Sequence, residues 1–254
     1  HEHMTLRFLL DSSFSHSLEE AFPNPAAAVA GLIDTDLEVE GGTYLDGDQD
    51  YRPVLSQLVS SELDADRMDY LARDSYFSGV QYGHVDMDWI VRSLRPYAVD
   101  GQVHLSLDGR ALYTLEHLLL ARYHMFLMVY FHYRSVAYEQ LLREFLADGG
   151  DGYRIPSDPD AYVEFDDAHL LGVLRRSEHP AARRIVDRRG YGLLLERHGT
   201  GEKRLVRDEV RALTEEGIVH QHVTSRGVVS NYMRARWRAD APSIYVVWRS
   251  PAEP

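Results

Sequence analysis

Apolar positions recur at helical spacing through most of this chain and give way to shorter alternating runs near its end. Residues 1–22 carry Leu6, Leu9, Leu10 and Phe14 on one predicted helix, which Pro23 and Pro25 stop. Residues 26–33 start a second, short helix. The stretch from Gly41-Gly42 to Tyr51 is acidic, polar and glycine-rich, and reads as a loop. Leu55, Leu58, Val59, Leu63, Met68 and Leu71 keep roughly helical spacing, so residues 55–77 read as one long helix, ended by Gly79 and Gly83. Residues 86–94 form another short helix before Pro96. Residues 97–107 alternate weakly toward Asp108-Gly109, which predicts a small hairpin. The longest helical candidate covers residues 111–145 and is closed by Gly149-Gly150. Residues 161–175 and 179–189 are further helices. Beyond Tyr191 the pattern changes: residues 218–223 and 243–248 are strand-like, with residues 207–216 helical before them. The expectation is a mainly α chain, with a helical body over residues 1–190 and a smaller C-terminal α+β lobe over residues 191–254.

Composition narrows the classes. Of 254 residues, 44% are hydrophobic and 26% charged, the balance of a globular protein with a real core. No apolar stretch approaches the roughly 20 residues that a membrane-crossing helix needs. The best run, Leu118 to Phe131, is broken by Arg122, Tyr123 and His124. With no membrane segment and no export signal in view, a cytoplasmic location is expected. Cysteine is absent, so any metal must sit on His, Asp or Glu. A formal charge of −13 argues against a general nucleic-acid binder. Lys203 is the single lysine among 27 basic residues. Arginine suits bidentate phosphate binding, but so global a bias does not say which arginines do it.

Candidate chemistry concentrates in Leu63-Asp64-Ala65-Asp66-Arg67-Met68-Asp69-Tyr70-Leu71-Ala72-Arg73-Asp74-Ser75. On a helix, Asp66, Tyr70 and Asp74 are four apart and share a face, with Arg67 beside them. A carboxylate suits a divalent metal; arginine and tyrosine suit phosphate oxygens. The bland alternative is a solvated helix with pairs such as Asp69 to Arg73. A second segment runs from Ala121 to His132. There Arg122, Phe126 and Tyr130 recur at intervals of four and would share a face of a continuous helix.

This string, LDADRMDYLARDS followed by Gly79 and Gly83, resembles the end of the HD domain in dNTP triphosphohydrolases, the dGTPase-like branch of HD-domain phosphohydrolases. In that family the metal is held by a His, then a His-Asp pair, then a distant Asp, which corresponds to Asp66. The resemblance implies that Arg67 and Tyr70 contact substrate phosphates and that Asp74 lies near the sugar. Arg122, followed eight positions on by Tyr130-x-His132, resembles the family's nucleotide-pocket segment. Some members carry a His where this chain has Phe126. His1-Glu2 followed by Thr5 resembles the segment in which a His is a general-acid candidate, and a tag remnant is the competing explanation for it. Arg183 to Tyr191 resembles the segment that joins the helical body to its C-terminal lobe, where regulated members bind an activating nucleotide.

The implied reaction is hydrolysis of a deoxynucleoside triphosphate to deoxynucleoside and triphosphate, with Mg, Mn or Fe as divalent cofactor, in a homo-oligomer. One departure stands out: the dipeptide His-Asp occurs nowhere in the chain. Its absence makes a piece of a longer protein the expected reading. It also leaves open a nucleotide-sensing or scaffold module without catalysis, or an HD phosphohydrolase acting on another nucleotide.

Overall fold

The computed structural model describes residues 2–21, 25–39, 43–196, 203–218, 220–223 and 244–248. The chain divides into two compact units. The first comprises His1–Phe126, Ile155–His169 and Val229–Pro254; the second comprises Leu127–Arg154 and Leu170–Val228. Residue 190 lies inside the second. Helices dominate the described residues and a small sheet accompanies them, which is the mainly α chain with a small α+β part that the sequence pattern predicts.

In the first unit, the helix expected over residues 1–22 is two helices, α1 (Glu2–Asp11) and α2 (Ser13–Ala21). Ser12 separates them. Its hydroxyl donates to the Phe8 carbonyl at 2.5 Å and accepts from the Phe14 N–H at 3.0 Å, so it ends one helix and starts the next. α1 packs on α3 (Pro25–Ile33) and on α9 (Pro159–Tyr162), where Phe8 meets Tyr162 edge to face with centroids 5.7 Å apart. The last carbonyls of α3 lack helical partners. Arg52, the first residue of α4 (Arg52–Val59), supplies one for Gly31 by donating from Nη2 at 2.8 Å, and also donates to the Leu37 carbonyl beyond the helix at 2.9 Å.

The stretch read as a loop before Tyr51 contains two short strands, β1 (Leu45–Asp46) and β2 (Gln49–Asp50), paired antiparallel. The long helix expected over residues 55–77 is interrupted. α4 ends at Val59, and α5 (Ala65–Ser78) begins after Asp64, an N-cap in extended conformation. α6 (Met87–Ser93) leads into the hairpin of β3 (Leu94–Val99) and β4 (Gln102–Asp108). Its two-residue turn is Asp100-Gly101, both at positive φ, as the twist of a tight hairpin requires. The Asp108-Gly109 signal does something else. Asp108 caps a 3-10 turn, Gly109–Ala111, that feeds α7 (Leu112–Met125). Pro96 is accommodated because β3 pairs on one side only. On its other side β4 meets β2 at Gln102 and β5 (Tyr245–Val247) at Ser106 to Asp108, both parallel. Between these pairings the Leu105 N–H donates to Gln57 Oε1 of α4 at 2.7 Å. Val103, Leu105 and Leu107 are buried, and α4 packs on β4.

The helix expected over residues 111–145 is also broken. After α7 the chain forms a π-turn, Phe126–Tyr130, and restarts at His132, the N-cap of α8 (Tyr133–Ala147). Apolar spacing continues through this stretch, so sequence periodicity does not reveal the break. In the second unit Leu141 and Phe145 of α8 pack with Leu174 of α10 (Asp167–Arg176) and with Ala181 and Ala182 of α11 (Pro180–Val186). Tyr191 joins this core. Its hydroxyl donates to Glu144 Oε2 at 2.7 Å, and the Arg184 guanidinium lies 4.8 Å from its ring centroid. Burial, and then the Glu144 carboxylate, push the Tyr191 phenol above its ordinary pKa against the opposing Arg184 charge. The helix expected over residues 207–216 is α12 (Lys203–Glu215). Residues 218 and 220–223, read as a strand, carry no strand pairing.

Candidate functional site

The loop over residues 60–64 sets the start of α5, and Asp64 organises it. Asp64 is buried. Its Oδ1 accepts the Arg67 N–H at 2.7 Å and its Oδ2 accepts the Ser61 N–H at 3.0 Å. The same Oδ2 lies 3.1 Å from Arg67 Nη1. Both oxygens are therefore committed to capping the helix and holding Arg67. Asp66, one step into the helix, is the opposite case. It is exposed, stands in the first turn, and makes no hydrogen bond or ion pair with the described residues. A carboxylate there is favoured by the positive end of the helix dipole.

α5 is continuous from Ala65 to Ser78, so the spacing argument holds for Asp66, Tyr70 and Asp74, and the last two are half-buried. The expected Asp69 to Arg73 ion pair is also present, on exposed side chains. Gly79 ends α5 in the left-handed conformation at φ 73°. Gly83 returns the chain to it. Its N–H donates to Ser75 Oγ at 3.1 Å, and a Cβ there would lie 2.4 Å from the Leu71 carbonyl oxygen. Both glycines of the motif thus have a backbone reason.

Arg122 is 9% exposed, in the last turn of α7, which packs against α5. Its partner was not singled out in the sequence: Glu62, itself buried, whose Oε2 accepts from Nη1 at 2.8 Å. The signal was available, since a buried arginine needs an acidic partner, and Glu62 is two residues from the motif's Asp64. Through Glu62 the loop that caps α5 reaches Arg122, which sits on the helix packed against α5. Phe126 lies under Arg122, with its centroid 5.6 Å from the guanidinium carbon. That pair shares a face as expected. Extending the face to Tyr130 requires a continuous α-helix, and the chain is a π-turn over Phe126–Tyr130.

Tyr130 and His132 belong to the second unit. Tyr130 is half-buried, and His132 is exposed. The His132 Nδ1 accepts the Arg134 N–H at 3.3 Å, which makes it a helix cap. His1 lies outside the described residues. In the basic segment from the last turn of α11 onward, Arg183 pairs with Glu178 and Arg184 donates to the Gly190 carbonyl at 3.3 Å, while Arg188 and Arg189 are exposed. Among the described residues no group of three or more His, Asp or Glu side chains is placed to hold a metal ion, and no helix is long and apolar enough to cross a membrane.

Residues 85–226 match the family described as the HD associated region, and the chain belongs to that family. It is 43% identical over 89 residues to the uncharacterized protein YwfO of Bacillus subtilis, a match covering 35% of this chain and 20% of that protein. Among solved structures, a hypothetical protein from Aquifex aeolicus aligns with a TM-score of 0.66 at 26% identity, over 84% of this chain and 53% of that one. A Bacteroides thetaiotaomicron protein named a phosphohydrolase shares the fold, with a TM-score of 0.54 at 21% identity over 85% of this chain and 56% of that one. The chain spans 20 to 30% of the length of the curated relatives it matches.

Proposed function

We propose that this chain belongs to an HD-type phosphohydrolase that hydrolyses deoxynucleoside triphosphates to deoxynucleoside and triphosphate. One observation carries the reading. The Asp64 carboxylate is wholly engaged in building the helix, whereas Asp66, on the same face as Tyr70 and Asp74, keeps an exposed carboxylate beside Arg67. The family match and the fold shared with a protein named a phosphohydrolase support the class. The dNTP substrate rests on the resemblance of the LDADRMDYLARDS string.

Asp66 fits one position of a divalent metal site, as a hard oxygen donor without a competing partner among the described residues. It is a single donor, and the described residues do not complete the set, so the remaining ligands would come from elsewhere in the whole protein. A divalent ion held there would supply Lewis-acid chemistry at a phosphate oxygen. The chain's own residues would bind and orient. The Arg67 guanidinium, steadied at Nη1 by Asp64, would present its remaining donors to phosphate oxygens, offsetting charge that grows as the bond to phosphorus breaks. Tyr70 would add a phenol donor, and Asp74 would accept from a sugar hydroxyl. Tyr130 and His132 are proposed as further substrate contacts. The test is Asp66→Ala in the full-length protein, assayed for bound metal and for release of triphosphate from dNTPs. Loss of both supports the reading. Wild-type metal content with wild-type turnover overturns it.

A further inference from the structure

The Glu62–Arg122 pair is the one buried ion pair in the described part of the first unit whose two members lie far apart in the chain. It is monodentate: Oε2 of Glu62 meets Nη1 of Arg122 at 2.8 Å. The Arg122 Nε atom is also shielded from water, yet has no hydrogen-bond partner. A buried guanidinium normally satisfies its donors, so an unpartnered Nε–H on a guanidinium held through Nη1 marks an edge ready for an acceptor. Glu62 reaches this position because Asp64 caps α5 two residues later and fixes the loop. Leu63, fully buried between them, anchors that loop.

Resting on the function proposed above, we infer that Glu62 is a positioning residue for nucleotide binding: it clamps one end of the Arg122 guanidinium so that the Nε edge faces the substrate. The carboxylate also neutralises the arginine, so the edge acts as a directional donor to an oxygen of base or sugar and not as a bare cation attracting triphosphate. Arginine suits this use because its donors are fixed in one plane. Glu62 touches no reacting atom, and its whole effect on catalysis passes through Arg122.

The experiment uses the full-length protein with dGTP, dATP, dCTP and dTTP as probes. Steady-state kinetics and thermal midpoints are measured for Glu62→Gln, Glu62→Asp, Arg122→Gln and the double variant Glu62→Gln/Arg122→Gln. Glu62→Asp keeps the charge but withdraws it by one methylene, so it tests the clamp even if the glutamine variant does not fold. The expected result for Glu62→Gln or Glu62→Asp is a KM raised about tenfold, the size of a lost charge-assisted hydrogen bond, with kcat changed by less than about threefold. In the Arg122→Gln background Glu62→Gln should change KM no further. A fall in thermal midpoint with KM unchanged makes the pair purely structural and overturns the inference. A KM increase that persists at full size in the Arg122→Gln background also overturns it. A wild-type protein that consumes none of the four nucleotides overturns the proposed function, and this inference with it.

Discussion

Asp64 and Asp66 sit two residues apart in one motif, and the structure gives them separable fates. Asp64→Ala removes the acceptor of the Arg67 N–H at 2.7 Å and of the Ser61 N–H at 3.0 Å, and the partner of the Arg67 guanidinium at 3.1 Å. Loss of an N-cap costs about 0.5–2 kcal/mol. The Ser61 hydrogen bond adds about 1 kcal/mol. The ion pair adds less than about 1 kcal/mol, because 23% of the Arg67 side chain is exposed and water screens it. The sum is about 1.5–4 kcal/mol, which at about 2–4 °C per kcal/mol for 150–250 residues is a fall in thermal midpoint of roughly 3–16 °C, and a smaller one in a longer chain. Asp66→Ala removes an exposed carboxylate with no partner among the described residues. It should cost at most about 1 kcal/mol, through the helix dipole. The assay is differential scanning fluorimetry paired with triphosphate release, both on full-length protein. The expected pattern is crossed: Asp64→Ala melts early but stays active when assayed well below its midpoint, with KM raised because Arg67 loses its brace, while Asp66→Ala melts like wild type and is inactive. The reverse assignment, Asp66→Ala active and Asp64→Ala inactive though folded, would show that the motif is read two residues out of register.

Other outcomes follow from the same geometry. Gly83→Ala should destabilise by about 1–3 kcal/mol, because its Cβ would meet a backbone carbonyl oxygen at 2.4 Å that cannot swing away; a chemical-denaturation midpoint checks it. The raised Tyr191 pKa means that the folded state favours the neutral phenol. Its stabilising contribution is then complete below the unfolded phenol value and is lost as pH rises through the folded one. Wild-type stability should therefore fall from about pH 10 upward, and Tyr191→Phe should flatten that limb of the pH profile. Arg67→Ala should raise the KM for dNTPs more than Tyr130→Phe does, because it removes a charged donor and the latter a neutral one; initial-rate kinetics separate them.

The motif's helix was legible because its face-sharing residues need only one continuous turn pattern, and α5 is continuous where it matters. The breaks were less visible. Ser12, Asp64 and His132 interrupt helices through side-chain hydrogen bonds to neighbouring backbone, which leaves the apolar spacing on either side intact. Sequence periodicity reads across such caps. The π-turn after α7 is hidden for the same reason, since apolar spacing continues through it. Glu62 was missed because it precedes the resembling string, and because the one long helix expected over residues 55–77 hides the loop that carries it. Only the rule that a buried arginine needs a counter-charge could have found it, and that rule does not say which acid answers.

The most direct test of the proposed activity is the product. Full-length protein incubated with each dNTP and with Mg²⁺, Mn²⁺ or Fe²⁺ can be followed by phosphorus NMR and by chromatography of the nucleoside. A triphosphohydrolase releases intact inorganic triphosphate and free deoxynucleoside in equal amounts, and this is the expected result. Release of orthophosphate or pyrophosphate with a deoxynucleotide left behind, or no consumption under any of these ions, would contradict it.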